Sequence, residues 1–262
     1  MRSALCIGIN DYPGTGSDLA GCVNDAQDWG NALAERGFSV SMMIDGDATR
    51  TKMIRAMTAA VSAVGSGDVV VITYSGHGTW QPDDDGDEPD MRDEALCPHD
   101  FATAGPLLDD DLFDIFAQRA KGARVVFLSD SCHSGSVAKM APPLNGQDRG
   151  RVRFLEPGPF LSGADLARAH KAAKAPVKGL SRGTALLVSG CTDTEFSYDA
   201  NFGGRANGAF TRVALDTLAK LDDKATYVDW HAAIRAALPS VSYPQSPQLL
   251  ASRTQRRWPV LG

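Results

Sequence analysis

The sequence predicts an α/β fold: one mainly parallel six-stranded sheet with helices packed on both faces. Three observations carry this expectation. Short apolar runs rich in Val, Ile and Leu recur along the chain, segments with apolar residues at i, i+3 and i+4 alternate with them, and glycines close several of those segments. The strand-like runs are residues 4–9, 39–44, 68–74, 124–129 and 184–189, with a weaker one at 248–251. Helical spacing covers residues 24–36, 49–64 and 108–120, and again 209–221 and 227–238. Gly37 and Gly122 stand where helix C-caps belong, and Asp47 or Thr49 can cap the start of the second helix.

Composition narrows the class of protein. With 262 residues, 43 % hydrophobic and 22 % charged, the chain has enough apolar material for one large core. The N-terminus lacks a long apolar leader, and no run approaches the roughly 18 apolar residues of a membrane helix. Five cysteines, Cys6, Cys22, Cys97, Cys132 and Cys191, form no CxxC pair, which speaks against a disulfide framework or zinc ribbon and for a reducing cytoplasm.

The net charge of −6 conceals an asymmetry. Thirteen carboxylates and a single base, Arg92, lie between Asp83 and Asp114, whereas nine Lys/Arg and three acids lie between Lys139 and Arg182. An acidic segment suits a cation or a basic peptide. The basic segment lacks interleaved aromatics in a chain that is acidic overall, so nucleic acid is not an expected partner. This segment, residues 139–182, also carries prolines and glycines that break the strand–helix rhythm. It reads as a mobile connection between a first part, 1–138, and a last part, 183–262, of one domain spanning 1–262.

Two strand ends carry the chemistry. In an open parallel sheet the site lies at the carboxyl ends of strands. The third strand ends in Ser75-Gly76-His77-Gly78 and the fourth in Asp130-Ser131-Cys132-His133. If these sequential strands are neighbours, His77 and Cys132 face one another across a gap that a substrate carbonyl fills. Imidazole then takes the thiol proton, the thiolate attacks, and the backbone N–H groups of Gly78 and Cys132 are candidate oxyanion donors. A cysteine after an apolar strand is by itself more often a small buried hydrophobe; it is the pairing with His77 that points to catalysis. Cys6 and Cys191 read as core. His133, adjacent to the cysteine in a turn, points elsewhere.

The segments ALCIGINDY, LAGCVNDA, YSGHGT, DEALCPHDF, LLDDDL, SDSCHSGS and SPQL, spread over nearly the whole chain, resemble the metacaspase and orthocaspase branch of the caspase-like cysteine proteases. The resemblance implies a caspase-haemoglobinase fold with strand order 2-1-3-4-5-6. It also implies a Cys132–His77 dyad, and cleavage after Arg or Lys in a pocket made by Asp25, Asp130 and Ser75. The charge of Asp130, one residue from the nucleophile, supports the same preference, since it would hold a guanidinium and repel an Asp. Calcium is implied at Asp93, Asp109 and Asp110, oxygen ligands of the kind that cation takes. The family pattern has an Asp seven residues after the nucleophile, where this chain has Lys139, a charge that would repel the ion or pair with the same acids. The run Asp83–Asp87 lacks the spacing of an EF-hand loop and reads as a solvated acidic loop.

Arg149, Arg151, Arg153, Lys171, Lys174 and Lys178 are candidate cleavage points, used by the enzyme itself or by an upstream protease. The expected partners are therefore protein or peptide substrates with a basic residue before the cut bond, and the resemblance implies a monomer. The dyad needs no cofactor for its chemistry. The rival reading is a caspase-fold interaction protein that has lost catalysis; the joint presence of Cys132, His77, Asp130 and Asp25 disfavours it.

Overall fold

A computed structural model describes residues 1–82, 92–132, 151–157, 184–192 and 195–262. The chain opens with β1 (Arg2–Gly8), α1 (Cys22–Glu35), β2 (Ser39–Ile44), α2 (Arg50–Ser62) and β3 (Val69–Ser75). It continues through β4 (Gly78–Pro82), β5 (Arg92–Leu96), the short helix α3 (Phe101–Ala104), β6 (Leu107–Leu108), α4 (Asp109–Ala117) and β7 (Arg124–Asp130). Then come β8 (Arg151–Val152), β9 (Leu186–Ser189), β10 (Tyr198–Phe202), β11 (Arg205–Gly208), α5 (Ala209–Leu218), α6 (Tyr227–Ala237) and β12 (Gln248–Leu250).

The central sheet has the order β12-β9-β7-β3-β1-β2. Every pair in it is parallel except β12 with β9. Counting these six strands along the chain reproduces the order 2-1-3-4-5-6. The central strands are buried on both faces, which is why they read as unbroken apolar runs instead of alternating ones.

Alternate residues supply two cores. Leu5, Ile7, Val70, Ile72, Val125 and Phe127 pack with Met53, Met57, Leu112 and Phe116 of α2 and α4. Ala4, Cys6, Val71, Val126 and Leu128 pack with Trp29, Leu33, Phe210, Ala214 and Trp230 of α1, α5 and α6. Trp29 and Trp230 meet edge to face, their centroids 6.1 Å apart, and the Trp230 indole donates to the Ala214 carbonyl at 3.0 Å. Gly8 permits the close seating of α1 on the sheet, because a Cβ there would collide with the Cys22 carbonyl and with Ala26. That seating brings the first turn of α1, with Asp25, over the carboxyl end of the sheet.

Two three-stranded sheets, β4-β5-β6 and β11-β10-β8, flank this end. Sequence patterning does not reveal them: their strands are two to five residues long and partly polar, so pairing partners, not periodicity, define them. Residues 201–208, readable only as a Gly/Asn-rich turn, form a hairpin in which Gly203 and Gly204 both have positive φ. That is the two-residue turn whose twist suits paired strands.

Trp230 is fully buried at the α1–α5–α6 contact. Trp230→Ala is expected to lower unfolding free energy by about 3–5 kcal/mol, the range for emptying a large aromatic site, as read by urea denaturation followed by circular dichroism.

Candidate active site

β3 and β7 are neighbours, with Ser75 opposite Asp130 at the last paired position. Two residues beyond that pair stand His77 on one strand and Cys132 on the other, so equal overhangs carry both to the same end of the sheet.

His77 is buried and anchored from three sides. Its backbone N–H donates to the Tyr12 hydroxyl at 2.8 Å, the Tyr12 ring packs against its imidazole at 4.7 Å, and Nε2 lies 2.6 Å from the Ser17 carbonyl. A carbonyl only accepts, so Nε2 carries the proton and the lone pair resides on Nδ1, which has no hydrogen-bond partner. Burial holds the imidazole down to about 4, the Arg153 charge pushes in the same direction, and the Ser17 carbonyl opposes both. At neutral pH His77 is an uncharged base. Cys132 is also buried; its thiol donates to the Ser197 carbonyl at 3.5 Å and accepts the Ser197 N–H.

The gap between the two strand ends is filled by the chain itself. β8 pairs antiparallel with β10, and the Arg153 N–H donates to the Ser197 carbonyl at 3.0 Å. The Arg153 carbonyl accepts from the backbone N–H of Gly78 at 3.0 Å and of Cys132 at 3.1 Å. Its guanidinium, completely buried, pairs with Asp25 at 2.7 Å, Asp199 at 3.0 Å and Asp130 at 3.2 Å, and donates to the Asp130 carbonyl at 3.1 Å. Arg153 thus lies as the basic residue of a bound peptide would, its carbonyl between two N–H donors and its side chain in an acidic pocket.

The carboxylates are themselves supported. Asp25 accepts from Asn207 at 2.9 Å and from the Gly208 N–H at 3.0 Å, while Asp130 accepts from the backbone and hydroxyl of Thr211 at 2.9 and 2.7 Å and from the Ser197 hydroxyl. Asp199 accepts the N–H groups of Ala20 and Gly21 at 2.8 and 2.9 Å. Gly208 is required here, since a Cβ would collide with Asp130 and with the Arg153 guanidinium. Burial, together with the neighbouring Asp130, raises Asp25 to about 6 even though Arg153 acts to lower it. The pocket is therefore one that demands a cation.

Residues 1–258 match the caspase-domain family. The chain belongs to that family. Among caspase-domain relatives, metacaspase-1 of Cryptococcus neoformans var. neoformans is 33 % identical over 96 % of this chain, and metacaspase-1 of Kluyveromyces lactis is 31 % identical over 96 %. This chain spans 62 % and 66 % of those two proteins. Among solved structures, protein GSU0716 from Geobacter sulfurreducens superposes with a TM-score of 0.76 at 33 % identity, covering 99 % of this chain and 98 % of that one. Caspase-1 from Spodoptera frugiperda shares the caspase fold, with a TM-score of 0.59 at 12 % identity over 95 % of this chain and 86 % of that one.

Within the caspase-domain frame the structure brings together Cys132, His77, Gly78, Asp25 and Asp130. Ser75 is buried at the same strand end, but the described partners of the Arg153 guanidinium are the three carboxylates and the Asp130 carbonyl. Arg153 corrects an expectation: read from the sequence as part of a mobile basic loop, it is instead buried, because ion pairs with three carboxylates offset the water it loses. Arg151 is exposed, and its guanidinium donates to the Asp18 carbonyl. Lys139, His133, Arg149, Lys171, Lys174, Lys178 and the run Asp83–Asp87 lie outside the described residues.

Asp93 on β5 and Asp109 and Asp110 at the start of α4 are brought to one end of the β5–β6 pair. Among the described residues no group of three His, Cys, Asp or Glu is arranged to hold a metal ion. No helix among the described residues is long and apolar enough to cross a membrane.

Sequence reasoning missed Asp199, Ser197 and Ser17. Asp199 follows Tyr198 in the short strand β10 with no local signal, and Ser17 and Ser197 act chiefly through backbone atoms, which any residue type would supply.

Emptying the pocket should free the imidazole. In Arg153→Gln the cation that depresses His77 is gone, so its titration, followed by the NMR shift of its ring proton, is expected to move upward from about 4; no movement would show that burial alone sets it.

Proposed function

We propose that this chain is a cysteine endopeptidase that cuts protein and peptide substrates after Arg or Lys. One observation carries the reading: Arg153 sits with its guanidinium among Asp25, Asp130 and Asp199 and its carbonyl between the N–H groups of Gly78 and Cys132. An arginine held in that way marks where the residue before a cut bond belongs.

On this reading Nδ1 of neutral His77 takes the thiol proton of Cys132, and the thiolate adds to the carbonyl carbon. The negative oxygen is received by Gly78 and Cys132 N–H. Collapse breaks the C–N bond, with His77 returning the proton to the leaving amine, and water hydrolyses the thioester. The chemistry needs no metal, and calcium would enter only as a regulator. A planar guanidinium matches three carboxylates better than an ammonium, which favours Arg over Lys. A substrate Asp would bring a fourth negative charge into the pocket.

In the resting chain residues 151–155 block the cleft. Activation is then cleavage of the Arg153–Phe154 bond, by the same site or by another protease, followed by departure of the strap. The remaining basic candidates, Arg149, Arg151, Lys171, Lys174 and Lys178, are secondary cuts. All five cysteines are free, which fits work in a reducing cytoplasm, and we propose a monomer.

Two measurements test this. Fluorogenic peptides ending in Arg, Lys or Asp, assayed with calcium and with chelator, should be cut in the order Arg, Lys, with Asp uncut. Incubated wild-type protein should acquire a new N-terminus at Phe154 while Cys132→Ala stays intact. Cutting after Asp, or activity surviving in Cys132→Ala, would overturn the proposal, and wild-type protein that cuts none of the peptides would favour an inactive caspase-fold interaction protein.

The pocket should also impose an acid limit. Asp25 titrates near 6 with the guanidinium in place and higher without it, so kcat/KM for Arg peptides, which reports the empty pocket, is expected to begin falling already above pH 6 as the medium is acidified; Asp25→Asn, which lacks the charge at every pH, should be slow throughout and lose that limb.

A further inference from the structure

The bound segment does not end at the basic pocket. Beyond Arg153 it runs on across the cleft, where Phe154 forms a parallel bridge with Gly78 and the Leu155 N–H donates to the Gly78 carbonyl at 2.9 Å. The Thr79 hydroxyl donates to the Leu155 carbonyl at 2.8 Å. Thr79 is itself buried, so its hydroxyl has left water to make this contact. The Leu155 side chain is only 6 % exposed and belongs to the apolar cluster that includes Leu96, Cys97 and Leu107. On the other side of Arg153, Val152 pairs with Tyr198 and packs against the cluster formed by Phe196, Tyr198 and Cys191.

Two apolar anchors therefore flank one bond. The backbone hydrogen bonds accept any sequence, but the side-chain niches do not. A charged residue in the place of Leu155 would lose its water and find only an apolar wall. When the strap leaves, the Gly78 carbonyl and the Thr79 hydroxyl lose their partners, and a substrate backbone running the same way restores both.

We propose that the cleft reads its substrates on both sides of the cut, requiring an apolar residue second after the bond, in the place of Leu155, and favouring an apolar residue just before the basic one, in the place of Val152. The proposal rests on the reading of the acidic pocket given above. The substrate class is then an extended protein segment in which one basic residue stands among apolar ones. The grip beyond the bond holds the leaving side in line while the C–S bond forms and the C–N bond breaks, the amine taking its proton from His77.

The test uses quenched hexapeptides with the sequence Arg-Val-Arg-Phe-Leu-Glu, assayed with wild-type protein and with Arg153→Gln, whose strap cannot fill the basic pocket. Replacing the Leu by Asp should lower kcat/KM about tenfold or more, while Ile should cost little. Replacing the Val by Asp should cost several-fold. Thr79→Val should slow cutting of the hexapeptide but leave a short peptide that ends at the Arg with a coumarin leaving group far less affected, a split that general loss of structure would not produce. Equal cutting of the parent and the Leu-to-Asp peptide overturns the proposal alone. A parent peptide left intact by both proteins overturns the reading of the acidic pocket and this proposal with it.

Discussion

Asp25, Asp130 and Asp199 come from three separate elements, α1, β7 and β10, and meet where water does not reach. Each buried carboxylate carries a desolvation penalty of several kcal/mol, and their mutual repulsion adds to it. Neutral donors, from Asn207, Gly208, Thr211, Ala20 and Gly21, satisfy most of the oxygens without cancelling the charge. The guanidinium of Arg153 does cancel part of it, and its planar fork reaches all three acids at once. Much of the architecture follows from this demand for a cation: the close seating of α1 at Gly8, the bare backbone at Gly208, and the path of residues 151–155 across the sheet end.

The same enclosure prepares the histidine. Burial and the nearby guanidinium both disfavour imidazolium, so His77 stays neutral with its Nδ1 lone pair available, while the Ser17 carbonyl fixes which nitrogen carries the proton. A strand end kept dry in this way strengthens the N–H dipoles of Gly78 and Cys132 aimed at the carbonyl between them. The seal has to be supplied by something bound. In this structure that is the segment 151–155; on the proposed reading a substrate takes over the role, so that the pocket, the base and the seal are completed together.

The β10 strand and the residue before it join these contacts. Ser197 holds the thiol of Cys132 and the N–H of Arg153, and two residues further Asp199 holds both the guanidinium and the loop that ends in α1. Residues from the last third of the chain thereby contact Cys132, the loop before α1 and the bound segment, although they stand some 65 residues from Cys132 in sequence.

Local sequence was sufficient for the strands of the central sheet, because parallel strands buried on both faces need continuous apolar runs, and for His77 and Cys132, because glycine and small residues at strand ends leave a mark. The motifs also pointed to Asp25 and Asp130. The flanking three-stranded sheets, the roles of Ser17 and Ser197, the third carboxylate Asp199 and the burial of Arg153 left no such mark. Backbone atoms act without regard to residue type, and a charged side chain reads as exposed until its partners are known. Those partners lie 23 to 128 residues from Arg153, so only folding brings them together. The chain sequence determined the scaffold and the placing of His77 and Cys132 at neighbouring strand ends, while the tertiary structure alone decided which basic residue the acidic pocket holds, because that choice depends on desolvating four charges at once.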